Sequence, residues 1–152
     1  MILYEDTRQQ KGKHENIRKY CERHGISIIR QKLDCGDYML SPDDNITADT
    51  KYGLQEIYTD LIADRARFYR EVRRCNEKGI QLVILIEERY IRSIAEVYGW
   101  KPKYGKLTGR NIAERLKKLE LAWGVRVVFC SPQSTGRKII EILTAGRVVK
   151  SD

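Results

Sequence analysis

Asp37, Asp49 and Lys51 are the residues whose types and spacing point to chemistry. They lie in residues 36 to 51, which read Gly-Asp-Tyr-Met-Leu, then the turn formers Ser41, Pro42, Asp43, Asp44 and Asn45, then Ile-Thr-Ala-Asp-Thr-Lys. Two short apolar runs around such a turn predict a hairpin. Side chains alternate faces along a strand, so Asp49 and Lys51 project to one side and Thr50 to the other. With Asp37 on the first side, two carboxylates and an ammonium converge. Hard oxygen ligands suit Mg²⁺ or Mn²⁺, and a neighbouring lysine can hold a water or offset charge on a phosphate. That is the outline of a metal-dependent phosphodiesterase. The competing reading of the same residues is a solvated ion pair on a hairpin.

A sheet has to position these groups. Ile2 to Glu5 reads as a strand running into Glu5, Asp6, Thr7, Arg8, Gln9 and Gln10, and a strand end that delivers carboxylates commonly loads an α/β site. Ile17, Tyr20 and Cys21 recur at helical spacing between His14 and His24, with Gly25 as a stop. Ile26 to Leu33 is the next strand, and Gly36 lets the chain bulge beside Asp37. Beyond the hairpin, Gly53 ends the strand and Leu54, Ile57, Tyr58, Leu61 and Ile62 mark an amphipathic helix.

A second helix over 66 to 78 carries Arg67, Arg70, Arg73 and Arg74 around the stripe Phe68, Val72 and Cys75. Arginines three or four apart share a face suited to successive phosphates; the alternative is an exposed helix balanced by Asp64, Glu71 and Glu77. Gln81 to Ile86 has the composition of a central strand buried on both faces, ending at Glu87 and Glu88, which either cap it with charge or touch a metal. Residues 89 to 98 suggest a short helix. The loop from Gly99 to Lys106, with Lys101 and Lys103 among Trp100 and Tyr104, either tracks a nucleic-acid backbone or is a mobile surface loop. Thr108 is the expected N-cap of a helix to Ala122, Val125 to Phe129 the last strand, and Ser131 or Ser134 the start of a helix carrying Ile139, Ile140 and Leu143 that Gly146 ends. Val149 to Asp152 are expected to fray. The order predicts an α/β fold with a mixed central β-sheet flanked by helices on both faces.

The 152 residues fit one domain with a sizeable core. Lys and Arg number 29 against 21 Asp and Glu, a net charge of +8 that suits a polyanionic partner or a merely basic surface. No run of eighteen apolar residues offers a membrane span, and Met-Ile-Leu-Tyr-Glu-Asp is too acidic for a signal peptide. Cys21, Cys35, Cys75 and Cys130 form no C-x-x-C pair, so buried free thiols in a reducing cytoplasm are expected rather than zinc.

In order along the chain, Asp6-Thr7-Arg8-Gln9, Gly36-Asp37-Tyr38, Asp49-Thr50-Lys51, Arg67-Phe68-Tyr69, Leu85-Ile86-Glu87 and Phe129-Cys130-Ser131-Pro132 form a collinear set. This set resembles the nuclease domain of the XPF family of structure-specific endonucleases, which includes the archaeal Hef nuclease and lies within the PD-(D/E)xK restriction-like fold. The likeness covers residue 2 to about residue 145. It implies a restriction-endonuclease-like fold and a Mg²⁺- or Mn²⁺-dependent endodeoxyribonuclease acting on branched or flap DNA in repair or recombination, on the nucleoid. Asp37, Asp49 and Lys51 are then the catalytic set, with Asp6, Asp37 and Asp49 as metal ligands. Lys51 would orient or help deprotonate the attacking water. Arg8 and Arg67 would hold the backbone, and Arg70, Arg74, Lys101 and Lys103 are the further DNA contacts expected from the basic helix and loop.

The departures from the family pattern are specific. Asp49 replaces a glutamate, Thr50 an arginine, Gln9 a glutamate for which Glu5 compensates if the strand end bends, and Gln55 a final aspartate. Glu56, about 100° further around a helix, would not point at the same spot unless the helix starts differently. Family members usually add tandem helix-hairpin-helix motifs and dimerise. Here a single nuclease domain over 1–152 without that module is expected, acting as a homodimer, with a partner, or weakly. Two other readings stay open: a nuclease-like DNA-binding or scaffold module without activity, and a metal-dependent phosphodiesterase that cuts RNA.

Overall fold

Gln81–Glu87 forms an interior strand, β5, buried along six consecutive residues. Leu82, Ile84 and Ile86 enter one core, while Val83 and Leu85 enter the other. A strand that feeds both faces with aliphatic side chains requires a helical layer on each side. The computed structural model describes residues 1–9 and 14–145. Expectations about Gln10, Gly146 and Val149 to Asp152 lie outside the described residues.

In chain order the elements are β1 (Ile2–Glu5), α1 (Glu15–Arg23), β2 (Ser27–Arg30), β3 (Tyr38–Met39), β4 (Ile46–Lys51), α2 (Leu54–Ile62), α3 (Arg65–Glu77), β5, α4 (Ile94–Val97), α5 (Gly109–Trp123), β6 (Arg126–Cys130) and α6 (Thr135–Ala145). The sheet runs β2-β1-β3-β4-β5-β6. Pairing is antiparallel around β3 and parallel elsewhere, the expected mixed sheet. Apolar stripes of α2, α3, α4 and α5 cover one face (Ile57, Val72, Val97, Leu116), and α1 and α6 cover the other (Ile17, Ile139, Leu143).

α4 fills only Ile94–Val97 of the helix expected over 89 to 98, and two strands are also shorter than the sequence suggests. β2 stops at Arg30, where the side chain folds back onto Glu5 and the carbonyl of Gln9, and Leu33 N–H turns to Asp6 Oδ1. β3 has two residues because Gly36 takes φ 76°, where a Cβ would fall 2.0 Å from Thr47 Oγ1. The bulge beside Asp37 therefore needs glycine.

The cysteine expectation is half corrected. Cys21 and Cys130 are free and buried, but Cys35 and Cys75 form a disulfide, with Cα atoms 5.7 Å apart. Cys75 lies on the buried stripe of α3, which packs over the loop carrying Cys35, a proximity that a sequence separation of 40 conceals. With two of four thiols joined, cysteine content no longer argues for a reducing compartment. No helix of the described residues is long and apolar enough to cross a membrane.

Candidate active site

The backbone of Asp37 ties three strands together. Its N–H donates to Ala48 O at 2.9 Å, and its carbonyl accepts from Asp6 N–H at 2.8 Å. Tyr38 pairs with Ala48, so continuing that register outward sets Asp37 opposite Asp49. Directly opposed side chains on an antiparallel pair are close neighbours, and like charges there repel. Burial, then the charge of Asp49, push the Asp37 carboxyl well above the usual carboxylate range, against the pull of Thr50 N–H and Lys51.

Lys51 follows Asp49 by two residues and shares its face, as the alternation requires. Its Nζ lies 3.3 Å from Asp49 Oδ2 and 2.6 Å from Asp60 Oδ2. Burial alone would lower the proton affinity of this ammonium, but Asp49 and Asp60 outweigh it and hold Lys51 above the ordinary lysine range. Two carboxylates therefore clamp the Lys51 ammonium in place.

These groups line a cleft of about 500 Å³ walled by the β1 end, the β3–β4 hairpin, α2 and α3. Arg8, Arg67, Arg70 and Arg74 stand on its rim, with Glu56, Asp60 and Gln9 inside. The i, i+3, i+7 spacing puts the three α3 arginines on one face. Arg67 and Arg74 also reach Asp64 and Glu71 at 3.6 Å, so the two readings of this helix describe one surface. Glu71 in turn accepts from Gly36 N–H at 2.7 Å, joining α3 to the loop that carries Asp37.

A divalent cation fits the donor set in one limited form. Among the described residues no cluster of three or more His, Cys, Asp or Glu side chains is arranged to hold a metal ion. The opposed pair Asp37 and Asp49 remains, and Mg²⁺ is commonly bound by one or two carboxylates together with waters and substrate phosphate.

The sequence matches the ERCC4 domain over residues 6–142. The chain belongs to the ERCC4 domain family. A structure of XPF from Aeropyrum pernix superposes with TM-score 0.71 at 21% identity, covering 100% of this chain and 68% of that one. XPF from Aeropyrum pernix in complex with DNA gives TM-score 0.70 at 20% identity, covering 99% and 68%. A comparison with curated protein sequences finds no match. The XPF-type nuclease fold read from the motifs is therefore the fold of this ERCC4 domain.

Other expected residues of the ERCC4 domain fall in and out of the cleft. Asp6 lines it, but its oxygens are committed: Oδ1 accepts from Leu33 N–H at 2.8 Å and Oδ2 from Arg8 Nε at 2.7 Å. Asp6 thus orients Arg8. Glu5 does not compensate for Gln9, because it pairs with Arg30 and accepts from Tyr38 OH at 2.6 Å, away from the cleft. α2 starts at Leu54, which turns Glu56 inward and leaves Gln55 to bind Lys103 N–H at 2.9 Å. The basic loop is therefore docked on α2, and Lys101 and Lys103 lie outside the cleft lining. Glu88 accepts from Leu54 N–H at 2.7 Å at the start of α2, and Glu87 accepts from the Thr135 hydroxyl on α6, so neither lines the cleft.

Asp60 was missed by sequence reasoning. It lies one helical turn beyond Glu56, and that i, i+4 pair of acids on one face of α2 is the signal that points to it. Thr50 and His14 were missed as well, since nothing local announces their contact.

Proposed function

We propose that this ERCC4 domain is a Mg²⁺- or Mn²⁺-dependent endodeoxyribonuclease that hydrolyses phosphodiester bonds in branched or flap DNA, the intermediates of repair and recombination. The observation that carries the reading is the opposed Asp37–Asp49 pair beside the fixed Lys51 cation, in a cleft rimmed by arginines.

Asp37 and Asp49 would hold the ion, with Asp6 acting through Arg8 and not as a third ligand. When bound, the ion supplies Lewis-acid activation of the phosphate and offsets charge on the leaving oxygen. Lys51, clamped between Asp49 and Asp60, orients the attacking water and offsets charge on the phosphoryl oxygens. Arg8, Arg67, Arg70 and Arg74 hold the backbone across the cleft, and Lys101 and Lys103 meet it farther out. Support for DNA as the polymer comes from the net charge of +8 and from the matching XPF structure that contains DNA.

The test is cleavage of single-stranded, duplex, flap and four-way-junction DNA with Mg²⁺ or Mn²⁺, beside Asp37→Asn and Lys51→Ala. Metal-dependent nicking by the wild type alone is the expected result. Equal binding of branched DNA by all three with no cutting would establish instead a binding module, and equal cutting by all three would place the site elsewhere.

A further inference from the structure

Thr50 occupies the central position of the Asp-Thr-Lys triplet and holds Asp37 through its backbone and hydroxyl together. Its N–H donates to Asp37 Oδ2 at 2.9 Å and its hydroxyl donates to the same oxygen at 3.2 Å. From the other side, His14 Nε2 stands 3.0 Å from that hydroxyl. Thr50 is 2% exposed and His14 9%, so water does not compete freely for either contact.

Bond polarity fixes the direction of this chain. A metal-binding Asp37 is ionised, and an ionised carboxylate only accepts. The single hydroxyl hydrogen of Thr50 must then go to Asp37, and the hydroxyl must accept from His14, which places a proton on Nε2. The imidazole is held in its turn by Tyr52, with ring centroids 4.7 Å apart, and by the edge of Tyr38 at 6.2 Å.

We infer that Thr50 and His14 are positioning residues that pin Asp37 Oδ2 and thereby present Oδ1 to a cation shared with Asp49. The inference rests on the metal-dependent reading above. Both donors land on one oxygen, which fixes the plane of the carboxylate and leaves Oδ1 as the oxygen Thr50 does not hold. A hydroxyl does this without adding a positive charge beside the ion. His14 also sits at the N-cap of α1, on the opposite face of the sheet, so the orientation of Asp37 is anchored in both helical layers.

The test is Mn²⁺ affinity by calorimetry on the full chain, with ¹⁵N spectra of the imidazoles. Loss of an outer hydrogen-bonding partner typically weakens a metal site by ~10–100-fold. Thr50→Val should lose affinity in that range, and Thr50→Ser should regain most of it. His14→Leu should weaken the site too, while His14→Gln, whose amide nitrogen can donate from near the Nε2 position, should restore it. Loss of packing alone would not follow hydrogen-bonding capacity in this way. The spectra should show Nε2 protonated and its signal moved by Asp37→Asn, a readout that survives if a valine variant fails to fold. Wild-type Mn²⁺ binding with unchanged affinity in Thr50→Val, or His14 protonated on Nδ1 alone, overturns the inference and leaves the nuclease reading standing. Absence of Mn²⁺ binding by the wild type overturns the reading, and the inference with it.

Discussion

Asp37 and Asp49 oppose each other across the β3–β4 hairpin, and Lys51 and Asp60 extend the row of charges into α2. A folded protein holds such a pair at a cost in stability, and a cation placed there would relieve it.

The first prediction follows from that cost. The folded pKa of Asp37 is raised above its unfolded value. The stabilising protonated form is therefore fully present below the unfolded carboxylate range and is lost as pH rises through the raised value. In EDTA, the thermal midpoint of the wild type should fall across that window. Asp37→Asn should flatten the profile and raise the neutral-pH midpoint by a few degrees, about 2–4 °C per kcal/mol for a domain of this size. Mn²⁺ should raise the wild-type midpoint at neutral pH and leave that of the variant unchanged. Thermal melts across pH, with and without metal, check all three.

Lys51→Ala strands Asp49 and Asp60, whose side chains are 15% and 13% exposed. Breaking a fully buried pair costs about 3–5 kcal/mol, and the residual exposure here argues for roughly 2–3. Asp60→Asn in the same chain should recover part of that loss. Urea unfolding of the two single variants and the double variant gives the coupling directly.

For the basic surface, Arg67→Ala, Arg70→Ala and Arg74→Ala should each weaken DNA binding uniformly across sequences and reduce the salt slope by about one. Lys101→Ala and Lys103→Ala, on the loop docked against Gln55, should do less. Binding isotherms over a salt series separate the two groups.

The disulfide yields a stability prediction. Closing a loop of 40 residues is worth about 4 kcal/mol in the chain-entropy account. A reductant should lower the thermal midpoint by several degrees. Thiol titration of the unfolded chain should count two groups before reduction and four after. In the native protein, burial together with the charge of Glu5 pushes the Cys21 thiol up to about 11, so it should react slowly at neutral pH.

The fold was legible where residues act on their neighbours in the chain. The β5 run, the turn formers after Leu40, the Thr108 cap and the period-2 spacing of Asp49 and Lys51 all produce the elements they announce. What escaped depends on contacts across the fold. Glu5 was drawn off by Arg30 from β2, Asp60 enters with α2, and Cys35 meets Cys75 only once α3 lies over the loop. Thr50 looked like a lost arginine because a hydroxyl reveals its worth only when His14 and Asp37 are both within reach.

The most direct test of the central claim is the anomalous difference map of crystals grown with Mn²⁺. The account expects one strong peak between the carboxylates of Asp37 and Asp49, with Lys51 Nζ beside it but not bound to it. A peak held by other residues, or an empty cleft at saturating Mn²⁺, would contradict it.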